Sequence, residues 1–293
     1  MIEADKLPGF RRLMDEKSPA FSKSQKKIAS FLLSEYDHAA FMNAAEIAAS
    51  LGVSEATIVR FAVALGFEGF PQLRKFLQNI LRDSVSPAVR MQNKLEDLRK
   101  GEGHILSQVV EMETRSIPEI CRTVHAREFD AAVASVLGAE RLFLFGIGPS
   151  RILAELMELR FNRFGMLTIA LVNSGRDLLD KLLLMKKGDV VIAAAFTRIM
   201  GELVAVIKHA KNVGCSRILI TDVEDAMLLS QVDTVMRVNR GPIHSFHSLT
   251  APMTVINALI LAVAMAKPEE SLRSLAELEE FRQEYDLDPI GEF

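Results

Sequence analysis

One short segment places hydroxyl, acidic and basic side chains at the spacing of a helix face. Ser54 can cap a helix through its hydroxyl, and Glu55 suits the positive end of the helix dipole. Thr57 and Arg60 then share one face, because residues three apart are neighbours on a helix. The small Thr57 allows close approach, and Arg60 can donate to a guanine edge or to a phosphate. This chemistry predicts contact with DNA.

The surrounding residues predict how that face is held. An apolar helix ends at Gly52, which permits a tight turn, and Val53 fills the corner before the second helix. In the second helix Ile58 and Phe61 are expected to face inward, so the polar side chains lie outward. The spacing predicts a helix-turn-helix, although a plain helical hairpin without a nucleic-acid partner has the same spacing.

A longer stretch, residues 21–77, closely resembles the N-terminal domain of the RpiR family of bacterial regulators. The most specific matches are Ser54-Glu55-Ala56-Thr57 followed by Val59-Arg60-Phe61, and Leu65-Gly66-Phe67 followed by Gly69-Phe70. The resemblance implies double-stranded DNA as partner, bound by a dimer on paired half-sites of a palindromic operator; one short helix alone makes few base contacts. We expect phosphate contacts from basic residues, each of which could instead belong to a solvated face: Lys23, Lys26, Lys27, Arg74 and Lys75.

Beyond residue 128, short apolar runs alternate with amphipathic helices, a pattern typical of a parallel sheet with crossover helices. Strands are predicted at Arg141–Phe145, Leu167–Val172, Asp189–Ala195, Arg217–Thr221 and Thr234–Val238. The predicted fold class is an all-α helix-turn-helix domain followed by an α/β doubly wound domain with a five-stranded parallel sheet.

The predicted organisation has four parts: a helix-turn-helix domain at 1–83, a helical linker at 84–127, a ligand-sensing domain at 128–267 and a helical tail at 268–293. Within the linker, the pattern predicts a helix from Ile105 to about Ile117, ended by Pro118.

The loop after the first predicted strand is a candidate anion site. Gly146, Gly148 and Ser150 can bring backbone amides and a hydroxyl to a helix N-terminus. The loop lacks the third glycine of a dinucleotide fingerprint, and its glycines could serve a tight turn alone. Residues 128–267 resemble a sugar isomerase (SIS) domain, the partner module of RpiR-type regulators. That resemblance implies a phosphosugar ligand.

The loop after the third predicted strand departs from the SIS pattern. The family usually has Ser-x-Ser-Gly-x-Thr there, whose hydroxyls and amides hold phosphate. In this chain residues 195–200 read Ala-Phe-Thr-Arg-Ile-Met, so only Thr197 keeps a hydroxyl and Arg198 replaces the glycine. Each lost partner at a buried anion site costs about 1–3 kcal/mol, so we expect weakened phosphosugar binding unless something compensates.

Three nearby side chains could contribute to that compensation. Arg198 could hold a phosphate or carboxylate through two hydrogen bonds, or it could point to solvent. His244 and His247 could contact a ligand, although loop histidines are often incidental. None of these residues has a spacing that indicates catalysis.

Composition excludes several classes of protein. The 293 residues carry a net charge of −3 and 49% hydrophobic side chains, which suits two globular domains and excludes a disordered chain. The two cysteines indicate neither disulfides nor a metal site, and no cofactor is expected. The N-terminal residues do not form a signal peptide, so a cytoplasmic location is expected. Residues 241–266 carry no charge, and we expect a buried helix there rather than a membrane span.

Three functional hypotheses remain at this point. The favoured one is a DNA-binding transcriptional regulator, a homodimer or tetramer, whose SIS domain senses a sugar phosphate or a related anionic carbohydrate metabolite. In the second, the SIS domain has lost its ligand and serves only for oligomerisation. The third is a sugar-phosphate isomerase that carries a helical head, which requires a positioned base and an intact phosphate loop.

Overall fold

The computed structural model describes residues 6–84, 87–241 and 247–285. These residues form two compact units, which divide between Lys100 and Gly101. The first unit consists of helices α1 (Lys6–Lys17), α2 (Lys23–Ser34), α3 (Tyr36–Ala39), α4 (Ala44–Leu51), α5 (Glu55–Ala64), α6 (Phe70–Ser84) and α7 (Pro87–Lys100).

The second unit begins with helices and continues as alternating strands and helices. Its elements are α8 (Ile105–Thr123), α9 (Ala126–Leu137), β1 (Leu142–Phe145), α10 (Arg151–Asn162), β2 (Thr168–Leu171), α11 (Arg176–Leu182), β3 (Val190–Ala194), α12 (Gly201–Val213), β4 (Ser216–Thr221), α13 (Ala226–Leu229), β5 (Thr234–Arg237), α14 (Thr250–Ala266) and α15 (Pro268–Glu284).

The helices of the first unit begin where polar side chains can satisfy free backbone amides. Ser22 and Gln25 form a capping box at the start of α2, and Asn43 and Glu46 form another at the start of α4. The apolar sides of the helices share one core, in which the ring centroids of Phe21 and Phe61 are 5.2 Å apart. Aromatic and aliphatic packing therefore fixes the turn between α4 and α5.

The sheet of the second unit has the strand order β2-β1-β3-β4-β5, and all pairings are parallel. Alternate residues of a strand face opposite sides, so Leu142 and Leu144 pack with α9, α10 and α14. Phe143 and Phe145 pack with α11 and α12 on the other side. Because both faces are covered, the central strands β1 and β3 are continuous apolar runs.

The predicted fold class is confirmed: helices precede a five-stranded parallel sheet with helices on both faces. The predicted end of a helix at Pro118 is wrong, because α8 runs from Ile105 to Thr123 with this proline inside it. Pro118 is exposed, so the carbonyl that it leaves unpaired can bond water. Beyond it, Ile120 and Val124 pack against the core of the sheet. That burial offsets the missing hydrogen bond.

Among the described residues no single helix has the length and hydropathy of a membrane span. Two helix pairs pass such a test only when joined, and each pair is sharply bent: α4 with α5 by 107°, and α14 with α15 by 103°.

A buried ion pair joins β1 and β3 at the edge where these strands begin. The Asp189 carboxylate is fully buried and accepts from Arg141 Nε at 2.9 Å, Arg141 Nη2 at 2.6 Å and the Lys186 N–H at 2.7 Å. The hydrogen bond to Asp189 raises the pKa of the Arg141 guanidinium. Nearby, burial raises the pKa of the Cys215 thiol to about 11.

We expect Asp189→Ala to lower the free energy of unfolding by about 3 kcal/mol, because it leaves donors without a buried acceptor. Glu155→Ala is the control, since the Arg151–Glu155 pair is about half exposed and should contribute less than about 1 kcal/mol. Denaturant unfolding followed by circular dichroism measures both. Equal losses in the two variants would contradict the structural role assigned to Asp189.

The two cysteines should react differently with a thiol reagent. Cys121 is exposed and Cys215 is buried, and the raised pKa keeps the Cys215 thiol protonated at neutral pH. Titration of the native chain with an aromatic disulfide should label one thiol, and denaturant should release the second. Cys121→Ser should then show no rapidly reacting thiol in the native state. Rapid labelling of that variant would contradict the burial of Cys215.

Candidate DNA-binding helix and candidate ligand site

The turn between α4 and α5 has the geometry that the sequence predicts. Gly52 ends α4 in the left-handed conformation with a φ of 63°, and Ser54 caps α5 by accepting from the Thr57 N–H at 3.3 Å. Ile58 and Phe61 are buried, as predicted. The two helices are bent by 107° relative to each other, and Val59, Arg60 and Val63 of α5 are exposed.

The outer face of α5 combines hydrogen-bonded polar side chains with two apolar ones. The hydroxyls of Ser54 and Thr57 lie 2.8 Å apart, and Arg60 Nη2 donates to the Thr57 hydroxyl at 3.4 Å. Val59 and Val63 are exposed on the same helix. Glu55, in the first turn, is also exposed. Hydroxyls, a guanidinium and methyl groups are the donors and apolar contacts that read base edges in a major groove.

The predicted phosphate-contacting residues have different surroundings in the structure. Lys23 and Lys26 are exposed on the first turns of α2, which have no acidic residue. Positive charge at a helix N-terminus opposes the helix dipole, so these lysines do not serve helix stability. Lys27 Nζ donates to the Leu51 carbonyl at 2.5 Å and so holds the end of α4. On α6, Arg74 is half-buried and Lys75 is exposed.

In the second unit, the strand order reverses between β1 and β3, and the ligand-binding crevice expected of such a sheet lies outside the carboxyl ends of these two strands. The chain leaves β1 towards β2 on one side and later returns to β3 on the other, so the loops after β1 and β3 diverge. Open parallel sheets bind ligands at such a switch point, outside the carboxyl ends of the strands. Both loops that the sequence singles out, 146–150 and 195–200, lie at these carboxyl ends.

The loop after β1 requires glycine for two separate reasons. A Cβ atom on Gly146 would lie 2.2 Å from the Ser150 carbonyl oxygen, and Gly148 has a φ of 61°. Gly148–Ser150 form a short 3-10 turn that leads directly into α10, and Ser150 is buried without a capping hydrogen bond from its side chain. The loop therefore folds tightly onto the start of α10, next to the crevice.

The loop after β3 is strained at Thr197. Its φ is 71°, and the Arg198 N–H donates to the Phe196 carbonyl at 2.8 Å across it. These are the features of a γ-turn with positive φ, which is rare for a β-branched residue and costs about 1–3 kcal/mol. The Thr197 N–H donates to Asp222 Oδ1 at 2.6 Å, which helps to hold the turn.

Arg240, which follows β5, forms a cluster with Thr197 and Asp222. Arg240 Nη2 donates to the Thr197 hydroxyl at 2.5 Å and to Asp222 Oδ2 at 3.1 Å, and its Nε lies 3.2 Å from Asp222 Oδ2. The Arg240 guanidinium carbon lies 4.3 Å from the centre of the Phe196 ring. The side chain of Arg240 is only 7% exposed. A buried cation therefore lies against the one hydroxyl that this loop retains.

The structure brings some predicted ligand residues together and leaves others apart. His247 Nδ1 lies 3.5 Å from the Thr197 hydroxyl, within the cluster. Arg198 is exposed, and its backbone N–H takes part in the γ-turn. His244 lies outside the described residues. Within the described ranges no group of three or more acidic, histidine or cysteine side chains could hold a metal ion.

Sequence analysis missed the pairing of Arg240 with Asp222. Each residue follows a buried strand, Asp222 directly after β4 and Arg240 three residues after β5. A polar residue at that position is a usable signal, because the carboxyl ends of parallel strands share one edge of the sheet. The partner could not be identified from local spacing, since Arg240 and Thr197 are 43 residues apart.

Each of the two units matches a known domain family. A helix-turn-helix domain model of the rpiR family matches residues 9–84, and a SIS domain model matches residues 136–262. An uncharacterized HTH-type transcriptional regulator of Caldanaerobacter subterraneus subsp. tengcongensis is 25% identical over 89% of this chain and 92% of its own. Another, YfhH of Escherichia coli, is 26% identical over 68% of this chain and 71% of its own.

Two solved structures share the fold. The NanR protein of Vibrio vulnificus, complexed with ManNAc-6P, covers 96% of this chain and 99% of its own at 18% identity, with a TM-score of 0.58. The sugar isomerase domain of an RpiR transcription factor from Sphaerobacter thermophilus covers 59% of this chain and 97% of its own at 22% identity, with a TM-score of 0.56. The chain therefore has a helix-turn-helix domain of the rpiR family as its first module and a SIS domain as its second.

Proposed function

We propose that this protein is a transcriptional regulator that binds a palindromic DNA operator through α5 and senses an anionic carbohydrate metabolite, such as a sugar phosphate, at the crevice of its SIS domain. The observation that carries the DNA-binding part is the exposed face of α5, where the Thr57 hydroxyl and the Arg60 guanidinium lie together above a fully buried inner face. Such a regulator acts where the DNA is, in the cytoplasm.

The sensing part of the proposal is supported by the crevice between β1 and β3. The loops after β1 and β3 flank it and lead into α10 and α12, and helix N-termini favour anions. The NanR structure that shares this fold was solved with ManNAc-6P, a phosphorylated sugar. The loop after β3 has lost most of the usual hydroxyls, but Thr197, Arg240 and His247 place three hydrogen-bonding groups at it.

We infer that the protein is not an enzyme. An isomerase needs a base that faces the substrate, and Asp222, a carboxylate in hydrogen-bond contact with the loop, already accepts from the Thr197 N–H and the Arg240 guanidinium. The relatives that cover most of the chain are named as transcriptional regulators, which supports the same inference.

A second candidate function is a DNA-binding protein whose SIS domain serves only as an oligomerisation scaffold. The observation that favours it is the loop at 195–200, where Ala195 and Met200 replace hydrogen-bonding residues. Both candidates require a homodimer, or a tetramer made of two dimers, because paired recognition helices bind paired half-sites.

We expect Arg60→Ala to weaken binding to the operator at least about fivefold, because a good arginine contact to a base contributes about 1–3 kcal/mol. Duplexes selected by the wild-type protein from a random pool supply the probe, and fluorescence anisotropy measures the affinity. Arg12→Ala removes the same charge from an exposed position of α1 and is the control, with affinity within about twofold of wild type. Equal effects of the two substitutions would contradict the assignment of α5.

Ligand sensing can be tested separately from DNA binding. We expect a hexose phosphate present at about 100 times its dissociation constant to stabilise the protein by about 2.7 kcal/mol, while the free hexose leaves the melting temperature unchanged. For a domain of this size the shift is about 5–10 °C. Thermal-shift screening of phosphorylated and carboxylated sugars provides the measurement. If none of them shifts the transition, the scaffold function is correct and sensing is wrong.

A further inference from the structure

Three arginine–aspartate pairs join neighbouring strands of the sheet, and they lie at different edges. The pairs Arg141–Asp189 and Arg217–Asp233 lie where strands begin, at the edge opposite the crevice. The pair Arg240–Asp222 lies where β4 and β5 end. Only this third pair is at the edge where open parallel sheets bind ligands. Its position distinguishes it from the two structural pairs.

The contacts of the third pair also differ from those of the other two. Arg240 donates to the hydroxyl of the strained γ-turn residue, Thr197, in addition to the Asp222 carboxylate. Thr197 is the last hydroxyl of the loop that in this family holds phosphate. A guanidinium matches the oxygens of a phosphate or a carboxylate in the same way that it matches the Asp222 carboxylate. The Asp222 carboxylate therefore accepts the hydrogen bonds from Arg240 that the oxygens of an anionic ligand would accept.

We propose that Arg240 is the residue that binds the anionic group of the effector, and that Asp222 is an internal counterion which the effector anion displaces from it. This inference rests on the proposed sensing function and names its principal binding residue. The head group is an oxyanion, phosphate or carboxylate, attached to a carbohydrate.

Charge explains why the chain carries such a counterion. With 7% of its side chain exposed, Arg240 would lose the carboxylate partner of a buried cation without Asp222, which is strongly unfavourable. An anionic ligand can replace the carboxylate without a net change in the pairing of the guanidinium. The competing carboxylate weakens ligand binding, so effector affinity depends on the charge of Asp222 as well as on Arg240.

Exchange of Asp222 for the effector anion at Arg240 also affects the loop after β3. Asp222 accepts from the Thr197 N–H through Oδ1 and from Arg240 through Oδ2, so one side chain holds both the γ-turn and the cation. When an anion takes Arg240, Asp222 keeps its hydrogen bond from the Thr197 N–H but loses those from the guanidinium. The strained conformation of Thr197 is then held by fewer bonds, which links ligand binding to the start of α12.

The test uses the full-length protein and two variants that preserve the shape of the side chains. Asp222→Asn removes the competing charge but keeps an oxygen for the Thr197 N–H. We expect it to bind inorganic phosphate and glucose 6-phosphate at least tenfold more tightly than wild type by isothermal titration calorimetry. It should also melt at a lower temperature without ligand and gain more from added phosphate than wild type does.

The double variant Arg240→Gln, Asp222→Asn removes both charges together, so it avoids an unpaired buried carboxylate and should fold. We expect it to lose phosphate binding altogether. Two controls change equal charges elsewhere: Asp233→Asn in the pair at the opposite edge, and Arg237→Gln at an exposed position of β5. Both should bind phosphate as wild type does. Gluconate, titrated in parallel, distinguishes a carboxylate from a phosphate head group.

The proposal is overturned if Asp222→Asn binds both phosphate and gluconate no more tightly than wild type, or if the double variant still binds either anion. If a sugar phosphate changes operator binding of the wild type and of both variants alike, the inference fails while the proposed sensing function stands. If no anion binds to any of the proteins, sensing and this inference fail together, and operator affinity still reports on DNA binding independently.

Discussion

Parallel pairing of the five strands brings every carboxyl end to one edge of the sheet, and the candidate ligand site depends on that constraint. Four residues that are distant in the sequence meet there, because the register of the strands places their loops side by side: Thr197, Asp222, Arg240 and His247. Reversal of the strand order at β1 places the expected crevice between the loops after β1 and β3. At the opposite edge, the Arg141–Asp189 and Arg217–Asp233 pairs link the beginnings of neighbouring strands and stabilise the sheet.

The first unit depends on a different constraint, the burial of one face of α5. Ser54 fixes where the helix begins, and Ile58 and Phe61 fix its rotation, so Thr57 and Arg60 must lie outward. All of these residues are within one short segment. Their positions therefore follow from helix periodicity and capping, which are local properties of the sequence.

The features that could be predicted from the sequence are those that depend on residues close together in the chain. The strands and the helix-turn-helix follow from periodicity, glycine positions and caps. The continuation of α8 through Pro118 could not be predicted, because tertiary packing of Ile120 and Val124 overrides a local preference. The contact of Arg240 with Asp222 and Thr197 depends on the pairing of β4 with β5, which no local spacing encodes. The sequence of the loop after β3 alone therefore predicts Arg198 as the ligand-binding arginine, but this side chain is exposed in the structure.

The central claim is that ligand at the SIS crevice and DNA at α5 are coupled. Coupling between two binding sites is reciprocal, so a ligand that changes operator affinity by some factor must have its own affinity changed by operator DNA by the same factor. The most direct measurement is the affinity of the protein for its selected operator with and without a saturating sugar phosphate, together with the converse titration. We predict equal factors in the two directions, about fivefold or more. Operator affinity that does not depend on ligand, although the ligand binds, would contradict the account.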